Sequence, residues 1–428
     1  MVRHGVEQRT ALAAALAGIA LLAATAALPN VRFFDGANVG DTPLYHTYGE
    51  NMRHGKLPYR DFFEEYPPGA LPAFALPAVL PGASFTFWSK ALQCLLAACC
   101  IVFVALTLRT SRWRAALIGL TPALLGQVTF TRFDFWPAAL TAAALAAIVA
   151  RRHRIALAVL AVAVAAKEYP LVLLPLAGIY VWRRAGARRV LAALAVFVVV
   201  AAAVVVPFAA YDVHGVASSF RSQAERGLQI ESLGASVLLA ADRLGLYDAK
   251  VVETTGVAGR NLSGSLPDAV AVLTLVLEAV AVVAVWLLYA RARDARARLP
   301  VAFAAAVAGF LAFTKVFSPQ YLVWLVPLVV LAGSWVAVSL TAVSLVLAQA
   351  WFFHYHALFR LAWPTWLLLV RDLLVLGAFL VLAGGLARGQ PDRWKIRIPS
   401  RSKTSRHSGL RRNQESWTAV GRGANRSA

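Results

Sequence analysis

D-G-A-N-V-G-D-T-P-L-Y-H-T-Y-G-E-N-M-R-H-G-K-L-P-Y-R-D-F-F-E-E-Y-P-P-G, residues 35–69, is the first long polar stretch in an otherwise very apolar chain. It carries Asp35, Asp41, Glu50, Asp61, Glu64 and Glu65, in a protein with only 21 acids. The apolar segments on both sides read as its support. Acids gathered in one loop between such segments mark a candidate active site outside a membrane.

Composition gives the fold class. Of 428 residues, 60% are hydrophobic and 15% charged, and the mean hydropathy is +0.65. A soluble protein of this size carries about 25% charged residues. Apolar runs of roughly 17–25 residues recur from end to end, as bilayer-crossing helices require. Alternating segments of about ten residues, the mark of a membrane barrel, do not occur. The chain is expected to be an all-α polytopic integral membrane protein. Its net charge of +21 fits basic cytoplasmic loops and a basic tail rather than nucleic-acid binding. Cys94, Cys99 and Cys100 share one apolar run. They have no metal-ligand spacing and no place in a disulfide framework.

The arginines set the topology. Arg3 and Arg9 precede the apolar run 11–28, which places the N-terminus, residues 1–10, in the cytoplasm. That run also has the outline of a signal peptide; its length and the many spans after it favour an uncleaved helix. The loop 29–85 then lies outside. Within it, 69–80 is apolar but short and contains Pro72 and Pro77, so it lies in the interface or dips in. The span 87–108 ends at Arg109, Arg112 and Arg114. Further spans are expected at 115–130, 135–150, 155–166, 169–182 and 190–208, then, after an outer loop 209–266, at 267–289, 300–314, 320–332, 335–353 and 363–386. That makes about twelve spans by arginine alternation. The pairs 155–182 and 300–332 are near the lower length limit, which allows tilt, breaks or re-entrance. Residues 11–386 form the membrane domain. Residues 387–428 read as a disordered basic cytoplasmic tail, drawn to anionic headgroups or simply solvated.

This topology puts five polar clusters at outer span ends. They are the first loop, Arg132 with Asp134, Lys167 with Glu168, the 221–231 region, and Lys315 with Gln320. Any one cation there can snorkel to the interface; five clusters on one side fit a single anion-binding cavity. Asp41 and Tyr45 share a helix face at i,i+4 spacing, and Asp41-Thr42-Pro43 is also a good helix start. Glu64 and Glu65, before Pro67-Pro68-Gly69, can act as base and orienter, hold a divalent cation, or be solvated loop acids. His354 and His356 can touch substrate or sit idle at the interface.

The motifs D-x-x-x-Y and G-K-L-P-Y-R-D-F-x-x-E-Y-P-P-G resemble the first outer loop of bacterial GT-C glycosyltransferases of family 87, which are similar to polyprenyl-phosphate-mannose-dependent mannosyltransferases. Four further stretches match in order: Arg132-Phe133-Asp134-Phe135-Trp136-Pro137, Lys167-Glu168-Tyr169-Pro170, Arg226-Gly227-Leu228-Gln229-Ile230-Glu231-Ser232 and Lys315-Val316-Phe317-Ser318-Pro319-Gln320-Tyr321. Each is weak alone; five in this order are fairly specific. The resemblance covers about residues 11–386 and leaves the tail outside.

The resemblance implies a GT-C-like helical bundle with a catalytic first outer loop, in the bacterial plasma membrane with its active site on the periplasmic side. It implies a polyprenyl-phosphate hexose donor, mannose by the family's habit, and a lipid or cell-envelope glycan acceptor. Asp41 matches the family's catalytic acid, with Asp35 as the other candidate in the loop and Glu65 and Asp61 as secondary acids. Tyr45, Tyr66, Arg132, Lys167, Arg226, Glu231, Lys315 and Gln320 are then the expected substrate-binding residues. No cofactor is expected, and no His/Cys ligand set marks a metal. A transporter or lipid-linked-sugar flippase also predicts buried charges and broken helices, but leaves an acid-rich outer loop unexplained. A membrane ligase or phosphotransferase using the same lipid phosphate is a further rival.

Overall fold

The computed structural model describes residues 2–28, 40–108, 111–253, 259–352, 354–355 and 362–388. Asp35, Arg109, His356 and the tail after residue 388 lie outside the described residues.

The chain opens with α1 (Val2–Ala26), α2 (Thr42–Arg53), α3 (Leu71–Val79) and α4 (Phe85–Thr107). Ala11, Ala14, Leu22 and Thr25 of α1 are buried, a stripe at helical spacing. α1 packs on α4 and on a 3₁₀ segment, Arg112–Leu120. A Cβ on Gly119 would lie 2.5 Å from the Gly18 carbonyl oxygen, so glycine is what lets the two backbones touch. α2 and α3 form a helical pair around Tyr45, Tyr48, Phe74 and Phe133, and the acid-rich loop is slung between them. α3 and its preceding turn, Pro68–Val79, form a short apolar helix, as Pro72 and Pro77 led one to expect.

Next come α5 (Thr121–Leu125), α6 (Val128–Thr131), α7 (Phe135–Val149), α8 (His153–Ala166), α9 (Leu174–Ala185) and α10 (Ala187–Ala209). The expected span 115–130 is not one helix. It is the end of the 3₁₀ segment followed by α5 and α6, broken at Gly126 with φ +64°. A left-handed residue ends a helix, and Pro122 sits where its missing N–H costs nothing. The expected span 169–182 likewise begins with a 3₁₀ turn, Tyr169–Leu173, before α9. Arg114 does not face solvent as a turn residue would. It donates to the Gly333 carbonyl oxygen at 3.0 Å and covers the Trp335 ring at 4.4 Å.

The second long loop holds α11 (Val213–Ala224), β1 (Leu228–Gln229), α12 (Leu233–Arg243), β2 (Lys250–Glu253) and β3 (Arg260–Ser263). The strands form a small antiparallel sheet in the order β1-β3-β2, an addition to the expected all-helical plan. The chain closes with α13 (Ser265–Arg291), α14 (Ala295–Phe313), α15 (Leu322–Ala332), α16 (Trp335–Phe352) and α17 (Trp363–Ala387).

Among the described residues, seven helices are long and apolar enough to cross a bilayer: Gln8–Ala26 within α1, then α4, α10, α13, α14, α16 and α17. The other expected spans are short or broken, α7, α8 and α15 among them. α14 is 78% buried over its most apolar window and α10 only 6%. α14 is therefore the centre of the bundle and α10 a lipid-facing edge. α15 is buried along its whole length.

The bundle has two chemically different ends, which α8 separates. Arg151, Arg152 and Arg154 stand at its start and Lys167 and Glu168 just after its end. Fourteen residues of helix span about 21 Å.

Candidate active site

At the Lys167 end of α8 lies a cavity of about 640 Å³. Its wall draws on all five polar clusters. Asp41, Glu65, Tyr66, Arg132, Lys167, Arg226, Glu231, Lys315 and Gln320 line it. Two expected residues do not. Tyr45 sits behind Asp41, buried against the α3 aromatics. Asp61 stays in the exposed loop, paired with Arg60 at 2.8 Å and accepting from the Leu57 N–H at 2.8 Å. Its sequence neighbourhood to Glu65 does not carry it to the cavity, because the chain turns between Tyr59 and Phe62, closed by a hydrogen bond from the Tyr59 N–H at 3.1 Å.

Asp41 precedes α2 in the N-cap position, but its side chain makes no capping hydrogen bond. Its carboxylate instead pairs with the Arg132 guanidinium and accepts from the Tyr45 hydroxyl at 3.3 Å. Arg132 reaches it from extended backbone between α6 and α7. The i,i+4 spacing of Asp41 and Tyr45 thus serves to hold a carboxylate.

Lys167 also leaves its helix in extended backbone. Its ammonium lies 3.0 Å from Asp134 and within 5.0 Å of the ring centres of Phe133, Tyr321 and Trp324. Trp324 donates to the same Asp134 oxygen at 2.7 Å. Tyr169, Trp324 and Tyr321 stack at 4.1 and 4.2 Å. The cation is therefore held by a carboxylate and a cage of π faces.

Glu65 joins the first loop to the end of α11. It accepts from Gln223 at 3.0 Å and faces Arg226 at 3.6 Å. Burial pushes its carboxyl up, against Arg226 and Gln223, which hold it down. Its neighbour Glu64 is fully buried outside the cavity wall; burial raises its carboxyl well above the ordinary range, and the Tyr66 N–H donates to it at 3.3 Å. Glu231 is 2% exposed, and burial pushes its carboxyl up to about 8. Lys315 ties two parts of the wall together: its carbonyl accepts from the Gln229 N–H at 2.9 Å, and its ammonium donates to the Ala224 carbonyl at 2.7 Å. The buried Gln229 Oε1, Glu231 Oε2 and Gln320 Oε1 have no protein partner. Buried polar atoms of this kind call for a hydrogen-bond partner.

Sequence reasoning missed several wall residues. Glu278 enters from the middle of α13 and bonds the Thr314 side chain; its signal was a single acid inside an apolar run. Arg260 and Tyr355 also line the cavity, with the Arg260 guanidinium 5.3 Å from the Tyr355 ring centre. Behind the wall, Arg371 of α17 pairs with Asp372 at 2.8 Å, donates to the Glu231 carbonyl, and lies 4.2 Å over Phe317. It thereby ties the Glu231 loop to the Lys315 turn. His354 packs on Trp363 outside the cavity. Among the described residues, no group of three His, Cys, Asp or Glu side chains is arranged to hold a metal.

The profile of glycosyltransferase family 87 matches residues 63–319, more than half of the chain. The chain belongs to glycosyltransferase family 87. No curated protein matches it. The protein is therefore a membrane glycosyltransferase, an activity that implies a sugar donor and an acceptor as substrates. Within the family match fall Glu65, Tyr66, Arg132, Lys167, Arg226, Glu231 and Lys315; Asp41, Tyr45 and Asp61 precede it, and Gln320 follows directly.

Proposed function

We propose that this family 87 enzyme moves a hexose, with mannose the first candidate, from a polyprenyl phosphate to a lipid or cell-envelope glycan. The reaction takes place on the outer face of a bacterial plasma membrane. The observation that carries the reading is one cavity holding an Arg-paired carboxylate, Asp41, together with Arg226, Lys315 and Lys167. Its wall includes Leu275 and Glu278 of α13, a helix that also exposes an apolar side with Val272, Val276, Val280 and Val283. A substrate with an anionic head and an apolar tail suits such a wall. The arginine-rich helix ends belong in the cytoplasm by the positive-inside rule, and the cavity lies at the other end.

In the proposed step the acceptor oxygen bonds to the anomeric carbon as the bond from that carbon to the phosphate oxygen breaks. Configuration inverts in a single displacement. Asp41 takes the acceptor proton. The guanidinium of Arg132 holds the Asp41 carboxylate in place. The acceptor hydroxyl becomes acidic as its bond to carbon forms, so a paired carboxylate suffices to take its proton. The cations receive the departing phosphate and stabilise the charge it gains. The unpartnered carbonyl oxygens of Gln229 and Gln320 can accept from sugar hydroxyls.

The test is reconstitution of purified protein in liposomes with labelled polyprenyl-phosphate mannose and a cell-envelope lipid extract. Labelled glycan and released polyprenyl phosphate are the expected products. Transfer from a nucleotide sugar instead, or movement of the labelled lipid between leaflets with no transfer, would refute the proposal.

A further inference from the structure

A second cavity, of about 950 Å³, lies at the opposite end of α8. Arg151, Arg152, Arg154, Arg184, Arg188 and Arg189 line it, and no acid does. Two very short connections build it. The turn between α7 and α8 is three residues long and puts Arg151 in the left-handed region at φ +64°. The connection between α9 and α10 is a single residue, Gly186, at φ +84°. α8 packs against α10, which brings the two turns side by side.

The positive-inside rule explains why arginines stand at this end. It does not explain why they converge on one concavity. The six side chains are exposed, so solvent screens their mutual repulsion in part, and an anion entering among them relieves the rest. His153, on the floor, adds a buried Nε2 with no protein partner. Its ring stands edge-on to buried Tyr180 at 6.3 Å. The first turns of α8 and α10 point the positive ends of their dipoles the same way.

The rim identifies the anion's source. Ile155 of the wall is 50% exposed, and Trp182 and Leu191, near the wall arginines in sequence, are 62% and 65% exposed. They continue into α10, which is almost entirely bare on its outer side. An arginine pocket joined to an apolar helix face suits a headgroup whose acyl chains stay in the bilayer. We propose that this pocket binds the phosphate headgroup of an anionic phospholipid, apart from the sugar-transfer cavity and independently of the reading given to it.

The test uses the purified full-length protein in neutral detergent. Short-chain phosphatidic acid, phosphatidylcholine and inorganic pyrophosphate are titrated separately. Thermal unfolding and lipid retention in native mass spectrometry are the readouts. Phosphatidic acid should raise the unfolding temperature and be retained; the other two should do neither. Arg184→Gln with Arg188→Gln should weaken its binding at least about tenfold, since each removes a charge-assisted contact. Arg154→Gln, on an exposed side chain, serves if the double variant does not fold. An equal response of variant and wild type, or an equal response to phosphatidylcholine, overturns the site. A response to pyrophosphate as large as that to phosphatidic acid overturns the lipid assignment. Transfer activity is not read, so failure here leaves the catalytic proposal untouched.

Discussion

Replacing Asp41 by asparagine separates chemistry from architecture. Asparagine keeps the size and one acceptor oxygen but cannot take a proton. The structural cost follows from what Asp41 touches: Arg132, whose side chain is 7% exposed, and the Tyr45 hydroxyl. Breaking a fully buried ion pair costs about 3–5 kcal/mol. Here Asp41 is 17% exposed and opens on a cavity, and the amide still accepts a hydrogen bond, so about 1–3 kcal/mol of stability is expected to go. The chemical cost is different in kind. Removing a general base lowers turnover by roughly 10²–10⁴, or about 2.7–5.5 kcal/mol of barrier. The assay is a double-mutant cycle with Arg132→Gln, read as turnover at saturating donor and as thermal unfolding in detergent. In the doubly substituted protein the stability losses should be less than additive, because the second change removes the stranded partner. Turnover should stay at the Asp41→Asn level. Turnover in Asp41→Asn within about threefold of wild type, or its recovery in the double variant, would refute the assignment of Asp41 as base.

Lys167→Met should destabilise the protein by about 3–5 kcal/mol, because Asp134 is left buried without its cation; adding Asp134→Asn should return part of that loss in thermal unfolding. Arg226→Ala should weaken binding of a polyprenyl-phosphate donor about tenfold or more in direct titration, and unchanged affinity would remove it from the phosphate site. The Glu231 carboxyl is pushed up to about 8 by burial. The folded state thus holds a proton that the unfolded chain loses near its ordinary value, so the stability it contributes is complete below that value and disappears as pH rises through about 8. Glu231→Gln should flatten this loss, and unfolding temperatures followed from the ordinary carboxylate range up to about pH 8 measure it. Gly69→Ala should lower stability, because its Cβ would fall 2.5 Å from the Ala165 carbonyl carbon; the same unfolding assay reads it.

Much of the site was legible because charges in an apolar chain are conspicuous. Arg132, Lys167 and Lys315 each stand beside a helix end in the sequence, and their shared end follows from the arginine alternation. What stayed hidden depends on three-dimensional approach. Glu278 looks like one polar letter in a 27-residue helix, and only the packing of α13 on α14 brings it to Thr314. Trp324 reads as one more apolar residue of α15, although its N–H fixes Asp134. Arg371 and Asp372 are adjacent in a span and gave no sign of reaching the Glu231 loop. Asp61 misled in the other direction, since sequence proximity to Glu65 says nothing about which way a turn sends a side chain. The break in 115–130 lies in Gly126 and Pro122, whose effect an average over hydropathy cannot register. The Asp41 cap was a sound local expectation that a longer-range partner, Arg132, overrode.

The shortness of α8 has a consequence for the substrates. The helix covers about 21 Å between the arginine turn and Lys167, whereas a bilayer's hydrocarbon core is about 30 Å thick. On the proposed topology, with the arginines at the inner headgroups, the caged ammonium sits below the plane of the outer ones. If the sugar is transferred beside that ammonium, as proposed, an acceptor hydroxyl must be lowered past the lipid surface to meet it. A glycan presented on its own lipid stem makes that descent easily, while a soluble sugar has nothing to hold it at such a depth. On that reading, depth sorts acceptors by how they are tethered before any hydrogen bond inspects their stereochemistry.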